Sequence, residues 1–390
     1  MNWIDWVLVV LVALYAVSGY WQGFITGAFA TVGLLLGGAG GIWLAPRLLQ
    51  DTSTSVWVSL SALFVVIVCA SLGQVLLQWV GAKVRSGIRW QPARALDAVG
   101  GSFLSAAAVL VVAWALGVAV SGSTISGLSA KVRDSVILGA VNDSMPPSAA
   151  DALDGFNNLV GTSFFPRYLE PFAPERIVAV GPGPDRMRTD PDVLVAGESV
   201  LKVYGDNKCG TAVEGSGWVI SPNYVVTNAH VVAGVATPRV ELGESEVGGS
   251  VVAYDPSIDL ALINVTTESL RPLDLSRVAE PTDAVAILGY PNDGPFDVQA
   301  GRIRSVQKLR SPDIYGHGTA IREVYSLRGL VRPGNSGGPV TDSSGDVVGV
   351  VFAASVTDPD TGYALTADQV DQTLSNAVGS NKAVSTGDCL

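Results

Sequence analysis

Charge is what this sequence has least of. Only 15% of its 390 residues are Asp, Glu, Lys or Arg, and 48% are hydrophobic; soluble domains carry about 25% charge. The deficit is concentrated in the first third, which excludes a freely soluble globule throughout. Lys and Arg number 24 against 35 acids, for a net charge of −11. That balance excludes nucleic acid as a partner, because phosphate binding needs clustered cations. Two histidines, three cysteines and no C-x-x-C give no basis for a metal site or a cofactor. Charge is also missing from the depth of every long apolar run. Proton and ion pathways usually need such groups, so their lack argues against a pump or ion-coupled transporter and leaves a channel or transporter as a third, weaker reading of the membrane part.

Four apolar runs precede Ser121: Trp6–Tyr20, Phe24–Ala45, Val56–Val80 and Val99–Val120. The last three exceed the roughly 20 residues that cross a bilayer core. The first is shorter. It has no basic start and no small-residue cleavage site, and further spans follow it, so it reads as a span and not a signal peptide. Between the third and fourth runs lie Lys83, Arg85, Arg89 and Arg94 against one acid, Asp97. The positive-inside rule keeps that loop cytoplasmic. Everything after Ser121 is then expected outside, and so is the N-terminus. Gly33, Gly37 and Gly41 form two overlapping G-x-x-x-G steps, which let helix backbones approach. They serve either self-association of the membrane part or packing within one four-helix bundle. The layout of the first 120 or so residues resembles the colicin V production family.

Residues 122–196 are expected to form an extracytoplasmic helical and Pro-rich linker. Ser148 and Asp151 make a capping box ahead of Leu153, Phe156 and Val160, so short helices are expected on both sides of Pro146-Pro147. Phe164, Phe165, Tyr168 and Phe172 rest either on the membrane interface or on the following domain.

Residues 197–390 read as short strands punctuated by Gly, Pro and Asn, with one helix expected at about Ala367–Ala377. Cys209 and Cys389 flank this domain, and outside the cytoplasm such a pair is expected to bridge. Three local motifs stand out: Thr227-Asn228-Ala229-His230-Val231, Asp259-Leu260-Ala261-Leu262, and Pro333-Gly334-Asn335-Ser336-Gly337-Gly338-Pro339. His, Asp and Ser come in the order of chymotrypsin-like enzymes, not that of subtilisins or α/β-hydrolases. On these motifs the domain resembles the trypsin-like serine proteases, and within them the high-temperature-requirement (HtrA/Deg) branch. The whole layout resembles membrane-anchored acid-resistance proteases of mycobacteria.

The resemblance implies an all-β chymotrypsin-like double barrel behind an all-α four-helix transmembrane domain at residues 1–121. It implies a serine endopeptidase in which His230 is the base, Asp259 orients it and Ser336 is the nucleophile. The N–H groups of Gly334 and Ser336 are the expected oxyanion hole. Leu330, six residues before the serine, replaces the carboxylate that would receive Lys or Arg. With Ala353, Ala354 and Ala364 as walls, it points to an apolar residue before the scissile bond. His317 matches no motif and reads as a loop residue. Asn335 replaces the aspartate that pairs with a new N-terminus in zymogens, so activation by that route is not expected. The chain leaves no room for a PDZ domain after the protease. Partners implied are protein or peptide substrates of the cell envelope and the lipid bilayer, at the inner membrane with the protease on the periplasmic side. The competing reading is a membrane scaffold or regulator whose protease fold only binds peptides; an intact set of three catalytic residues argues against it.

Overall fold

The computed structural model describes residues 1–48, 56–121, 131–146 and 175–390, apart from 244, 268–269, 277–278, 317 and 356. The helix expected after Pro147, the aromatic cluster at 164–172 and His317 lie outside the described residues. The chain divides into two compact units, one holding residues 1–119 and 131–160, the other holding the β-rich C-terminal domain.

In the first unit α1 (Trp3–Gln22), α2 (Phe24–Leu48), α3 (Val56–Arg85) and α4 (Gln91–Ser121) follow the four apolar runs, and α5 (Val136–Ser144) precedes Pro146. All four long helices are long and apolar enough to cross a membrane. α1 is longer than its apolar run suggested: 20 residues, about 30 Å at 1.5 Å per residue. A capping box at Asn2 and Asp5 adds the extra turn. Large side chains such as Leu35, Phe64, Leu76 and Phe103 point outward and exposed. Lipid removes the cost of exposing such a surface.

Small residues make the inner contacts. A Cβ on Gly33 would stand 2.2 Å from the Gly73 carbonyl oxygen, and one on Gly37 would stand 2.3 Å from that of Cys69. Gly41 faces Val66 in the same way. The glycine stripe is therefore consumed by α3 of the same chain, and of the two readings left open the packing one describes this face. On α1, Gly19 meets Gly101 of α4, and Ser102 Oγ donates to the Ala16 carbonyl at 2.9 Å.

The basic connection is tighter than expected, since Lys83 and Arg85 belong to the last turn of α3 and Arg94 and Asp97 to the start of α4. Arg85 pairs with Asp97 at 2.6 Å and donates to the Trp21 carbonyl at 2.5 Å. Asp97 also accepts the Ile25 N–H at 2.9 Å. One ion pair thus ties the α1–α2 turn to the α3–α4 turn. At the other end, Asp5 accepts from Ser135 Oγ at 2.6 Å and from the Ile137 N–H at 3.2 Å, which docks α5 on the start of α1.

In the second unit β1 (Val200–Asp206), β2 (Ala212–Ser221), β3 (Tyr224–Thr227), β4 (Arg239–Leu242), β5 (Ser245–Gly248), β6 (Ser250–Asp255) and β7 (Leu260–Asn264) form a curled sheet of order β5-β4-β1-β2-β3-β7-β6. β8 (Ala284–Gly289), β9 (Asp297–Ser311), β10 (Ala320–Arg328), β11 (Pro339–Thr341), β12 (Val347–Ala354) and β13 (Thr361–Thr366) close into a six-stranded barrel. This is the expected double-barrel fold.

Strand alternation divides the apolar side chains between cores. Val219, Val225, Ala261 and Ile263 fill the first barrel, and Val285, Ile287, Ile303 and Val348 fill the second. Their neighbours Trp218, Val226, Leu260, Leu262 and Leu288 form a third core with Phe352 and Tyr363, joining the barrels. α7 (Ala367–Leu374) caps that core with Val370 and Leu374, close to where a helix was expected.

Residues 175–196 are not a free linker. Arg304, Arg328 and Arg302 of the second barrel donate to the carbonyls of Val178, Val180 and Pro182. Met187 is fully buried, as is Val193 of α6 (Pro191–Gly197). The boundary expected at residue 197 marks a change in composition, while packing carries the C-terminal domain back to at least Glu175, which accepts from the Tyr363 hydroxyl at 2.7 Å.

Candidate active site

His230 opens a single helical turn, His230–Val232, directly after β3. Asp259 ends the turn between β6 and β7, with φ at +71°. Two strand ends of the first barrel thereby bring residues 29 apart together. His230 Nδ1 lies 2.8 and 3.0 Å from the two Asp259 carboxylate oxygens. The His230 backbone N–H donates to Oδ1 of the same carboxylate at 3.0 Å. Asn228 Nδ2 donates to the Asp259 carbonyl at 2.7 Å. An ionised carboxylate only accepts, so Nδ1 carries the proton and Nε2 is left as the basic nitrogen. Both residues are buried.

Ser336 comes from the other barrel, on the loop before β11. Its carbonyl accepts the Ser216 N–H of β2 at 2.7 Å. Ser216 Oγ donates to the Gly334 carbonyl at 2.6 Å and accepts the Tyr290 N–H at 2.9 Å. A Cβ on Gly337 would collide with Ser216 O and Thr227 Oγ1. The Ser336 loop therefore lies on β2 and on the end of β3, just before the segment that carries His230.

The loop's own geometry is set by Asn335. Its Oδ1 accepts the Arg332 N–H at 2.9 Å, and its N–H donates to the Arg332 carbonyl at 3.0 Å. The residue that departs from the zymogen pattern thus organises the turn. The Arg332 side chain pairs with Asp297. The Pro333 carbonyl accepts the Asn292 N–H at 2.7 Å. In a trans peptide the N–H points opposite the carbonyl, so the Gly334 N–H is directed away from Asn292. Among the described residues neither Gly334 N–H nor Ser336 N–H has an acceptor within the chain. Gly334 has φ +89°, a conformation that favours glycine.

Asn292 and Asp293 both have positive φ, at 55° and 56°. Such backbone costs energy for non-glycine residues and is held by its surroundings. Lys202 of β1 holds it through an ion pair with the Asp293 carboxylate. That pairing keeps the Asp293 carboxyl below the usual carboxylate range, while burial and then the Asp293 charge push Glu214 up. Sequence reasoning did not find Asn292 or Lys202, since nothing local marks a residue whose role is to hold another loop.

The four residues expected to shape a specificity pocket are only partly together. Leu330 is 41% exposed, and Ala354 at the end of β12 is half-buried. Ala353 and Ala364 have no exposed surface. Ala364 packs inside the second barrel and Ala353 in the core between barrels. As wall residues these two are corrected to packing residues. Strand pairing sets Ala354 opposite Gly362, where a Cβ would meet Val331 at 2.3 Å. Cys209 and Cys389 are bridged, with Cα atoms 6.4 Å apart. The tail before Cys389 runs along the loop after His230, where Gly234 N–H donates to the Thr386 carbonyl at 3.0 Å. Cys69 is a free cysteine within α3.

Comparison with known proteins agrees with this geometry. The trypsin-like peptidase domain family matches residues 215–350, and the colicin V production protein family matches residues 4–146. Serine protease Rv3671c of Mycobacterium tuberculosis is 35% identical over 395 residues, covering 100% of this chain and 99% of the relative. Putative serine protease HhoB of Synechocystis is 32% identical over 171 residues, covering 41% of this chain and 40% of that protein. The crystal structure of the Rv3671c protease in its active form superposes with a TM-score of 0.54 at 39% identity, covering 57% of this chain and 98% of the solved one.

Proposed function

Because the chain belongs to the family of trypsin-like serine proteases that includes serine protease Rv3671c, we propose that His230, Asp259 and Ser336 are its catalytic triad and that it cleaves proteins of the cell envelope from a membrane anchor. The observation that carries this reading is the paired contact of His230 Nδ1 with both Asp259 oxygens, beside a Ser336 loop bonded to β2. In the proposed mechanism His230 Nε2 takes the Ser336 proton as Oγ attacks the scissile carbonyl. Asp259 stabilises the imidazolium. The N–H groups of Gly334 and Ser336 receive the oxyanion, at about 3 kcal/mol per donor. The proton then passes to the leaving amine, and water repeats the sequence on the acyl-enzyme.

The cleft is proposed to take an apolar side chain before the scissile bond, with Leu330 and Ala354 as its walls. The basic α3–α4 turn supports a protease outside the cytoplasm, and the proposed setting is the inner membrane, with a role in tolerance of acid or other envelope stress. The full-length chain in detergent should label with a fluorophosphonate and degrade an unfolded protein. Ser336→Ala should lose all labelling and slow turnover by several orders of magnitude. Equal turnover by both proteins would leave only the peptide-binding scaffold.

A further inference from the structure

One buried cation in the protease domain has no use in the mechanism above. Arg322 of β10 is 2% exposed. Among the described residues no carboxylate oxygen lies within ion-pair distance of it. A buried guanidinium with no carboxylate in contact is costly, and burial does pull Arg322 below the ordinary arginine range. It is held by three neutral acceptors. Nη1 donates to Ser311 Oγ at 2.7 Å, Nη2 to the Pro312 carbonyl at 3.1 Å, and Nε to the Ser257 carbonyl at 2.9 Å. The Phe352 ring lies 5.7 Å from its guanidinium carbon.

The third acceptor matters most. Ser257 belongs to the first barrel and sits two residues before Asp259. Its turn is tightly bonded: the Asp255 carboxylate accepts the N–H groups of Ser257 and Ile258 at 2.9 and 3.0 Å, and the Asp255 carbonyl accepts the Asp259 N–H at 2.9 Å. This turn delivers Asp259 in its positive-φ backbone. The segment held by the other two bonds runs over the same place. Ile314 N–H donates to the Pro256 carbonyl at 3.1 Å, and its side chain packs on Ala229, next to His230. Arg322 thus joins the triad-acid turn of one barrel to the β9–β10 connection of the other. Charge follows the same direction. The carboxylates that favour the arginine cation are Asp259 first, then Asp313 and Asp255.

We infer that Arg322 is a positioning residue for the triad: it pins the Asp255–Asp259 turn across the barrel junction, and its fixed charge opposes protonation of the Asp259–His230 pair. This rests on the triad assignment proposed above. The charged and titratable groups around the pair, among the described residues, are Asp255 and Tyr254 from β6, Asp313 and Tyr315 from the β9–β10 connection, and Arg322 from β10. The two tyrosine hydroxyls bond each other at 2.7 Å. Burial, and then that bond, keep Tyr254 protonated well above the ordinary tyrosine range. Arg322 is therefore the one cation in the set, and Tyr254 does not titrate in the working range.

The test is the rate at which a fluorophosphonate labels Ser336 in the full-length chain in detergent, from mildly acidic to neutral pH. Arg322→Met should label about tenfold more slowly, and its acid limb should move upward by about half a pH unit or more. Arg322→Lys keeps the charge but not the three-pronged fork, so it should label slowly with the wild-type acid limb. An Arg322→Met profile that matches wild type in rate and midpoint overturns the inference, as does an equal midpoint shift in both variants. If Arg322→Met does not accumulate as folded protein, Arg322→Lys decides: slow labelling with an unmoved midpoint supports the role, and a wild-type rate or a moved midpoint rejects it. Failure of the wild-type chain to label would instead reject the triad assignment itself.

Discussion

A Cβ built on Gly334 would stand 2.3 Å from the Tyr290 carbonyl oxygen and 3.0 Å from the Asn292 nitrogen. Both neighbours are backbone, so they cannot move aside as a side chain end would. Gly334→Ala is therefore expected to rotate the Pro333–Gly334 peptide and misdirect one oxyanion donor. Losing one such donor costs about 10²–10³ in kcat. Steady-state kinetics should show that loss with KM little changed, while Ser336 remains chemically present. At this scale the strings that carry His230, Asp259 and Ser336 stood out in the sequence because each is short and contiguous. Arg322, Lys202 and Asn292 were not, because their roles depend on which strands the barrels bring alongside. The alanines show the same limit from the other side. Ala353 and Ala354 are adjacent, yet the first is fully buried in a strand covered on both faces, while the second, the last residue of β12, is half-buried.

Helices and strands were legible to different depths. Apolar runs marked the four long helices, and β-rich stretches of the sequence such as Ser216–Ile220, Tyr224–Val226 and Val347–Val351 fall within β2, β3 and β12. The docking of residues 175–196 was not visible. There the contacts run from arginine side chains of β9 and β10 to backbone carbonyls, and carbonyls carry no sequence signal. The glycine stripe on α2 yields a prediction with its own control. Gly37 faces the α3 backbone at 2.3 Å, whereas Gly40 has nothing within 4 Å. Gly37→Leu should separate α2 from α3 and lower the unfolding midpoint in detergent, by an overpacking cost of roughly 1–3 kcal/mol. Gly40→Leu should leave the midpoint unchanged. Equal effects at both positions would mean that α2 and α3 do not pack through this face.

For the whole molecule the decisive question is orientation. Arg85 is neutralised by Asp97, which leaves Lys83, Arg89 and Arg94 as the cationic signal near the α3–α4 turn. Positive charge close to span ends is retained in the cytoplasm. A reporter active only outside the cytoplasm should therefore be active when fused after Ser121 and silent when fused near Arg89. The reverse pattern would put the protease inside, where a bridge between Cys209 and Cys389 would not persist.

The contact between Asp5 and Ser135 spans 130 positions, and it has a consequence for biosynthesis. The start of α1 cannot find its final partner until Ser135, 130 positions later, has been made. At about 5–20 residues per second that wait is on the order of ten seconds. Throughout it α1 must keep its place with its first turn closed only by its own capping box, which makes Asn2 and Asp5 a nascent-chain requirement as much as a feature of the finished protein.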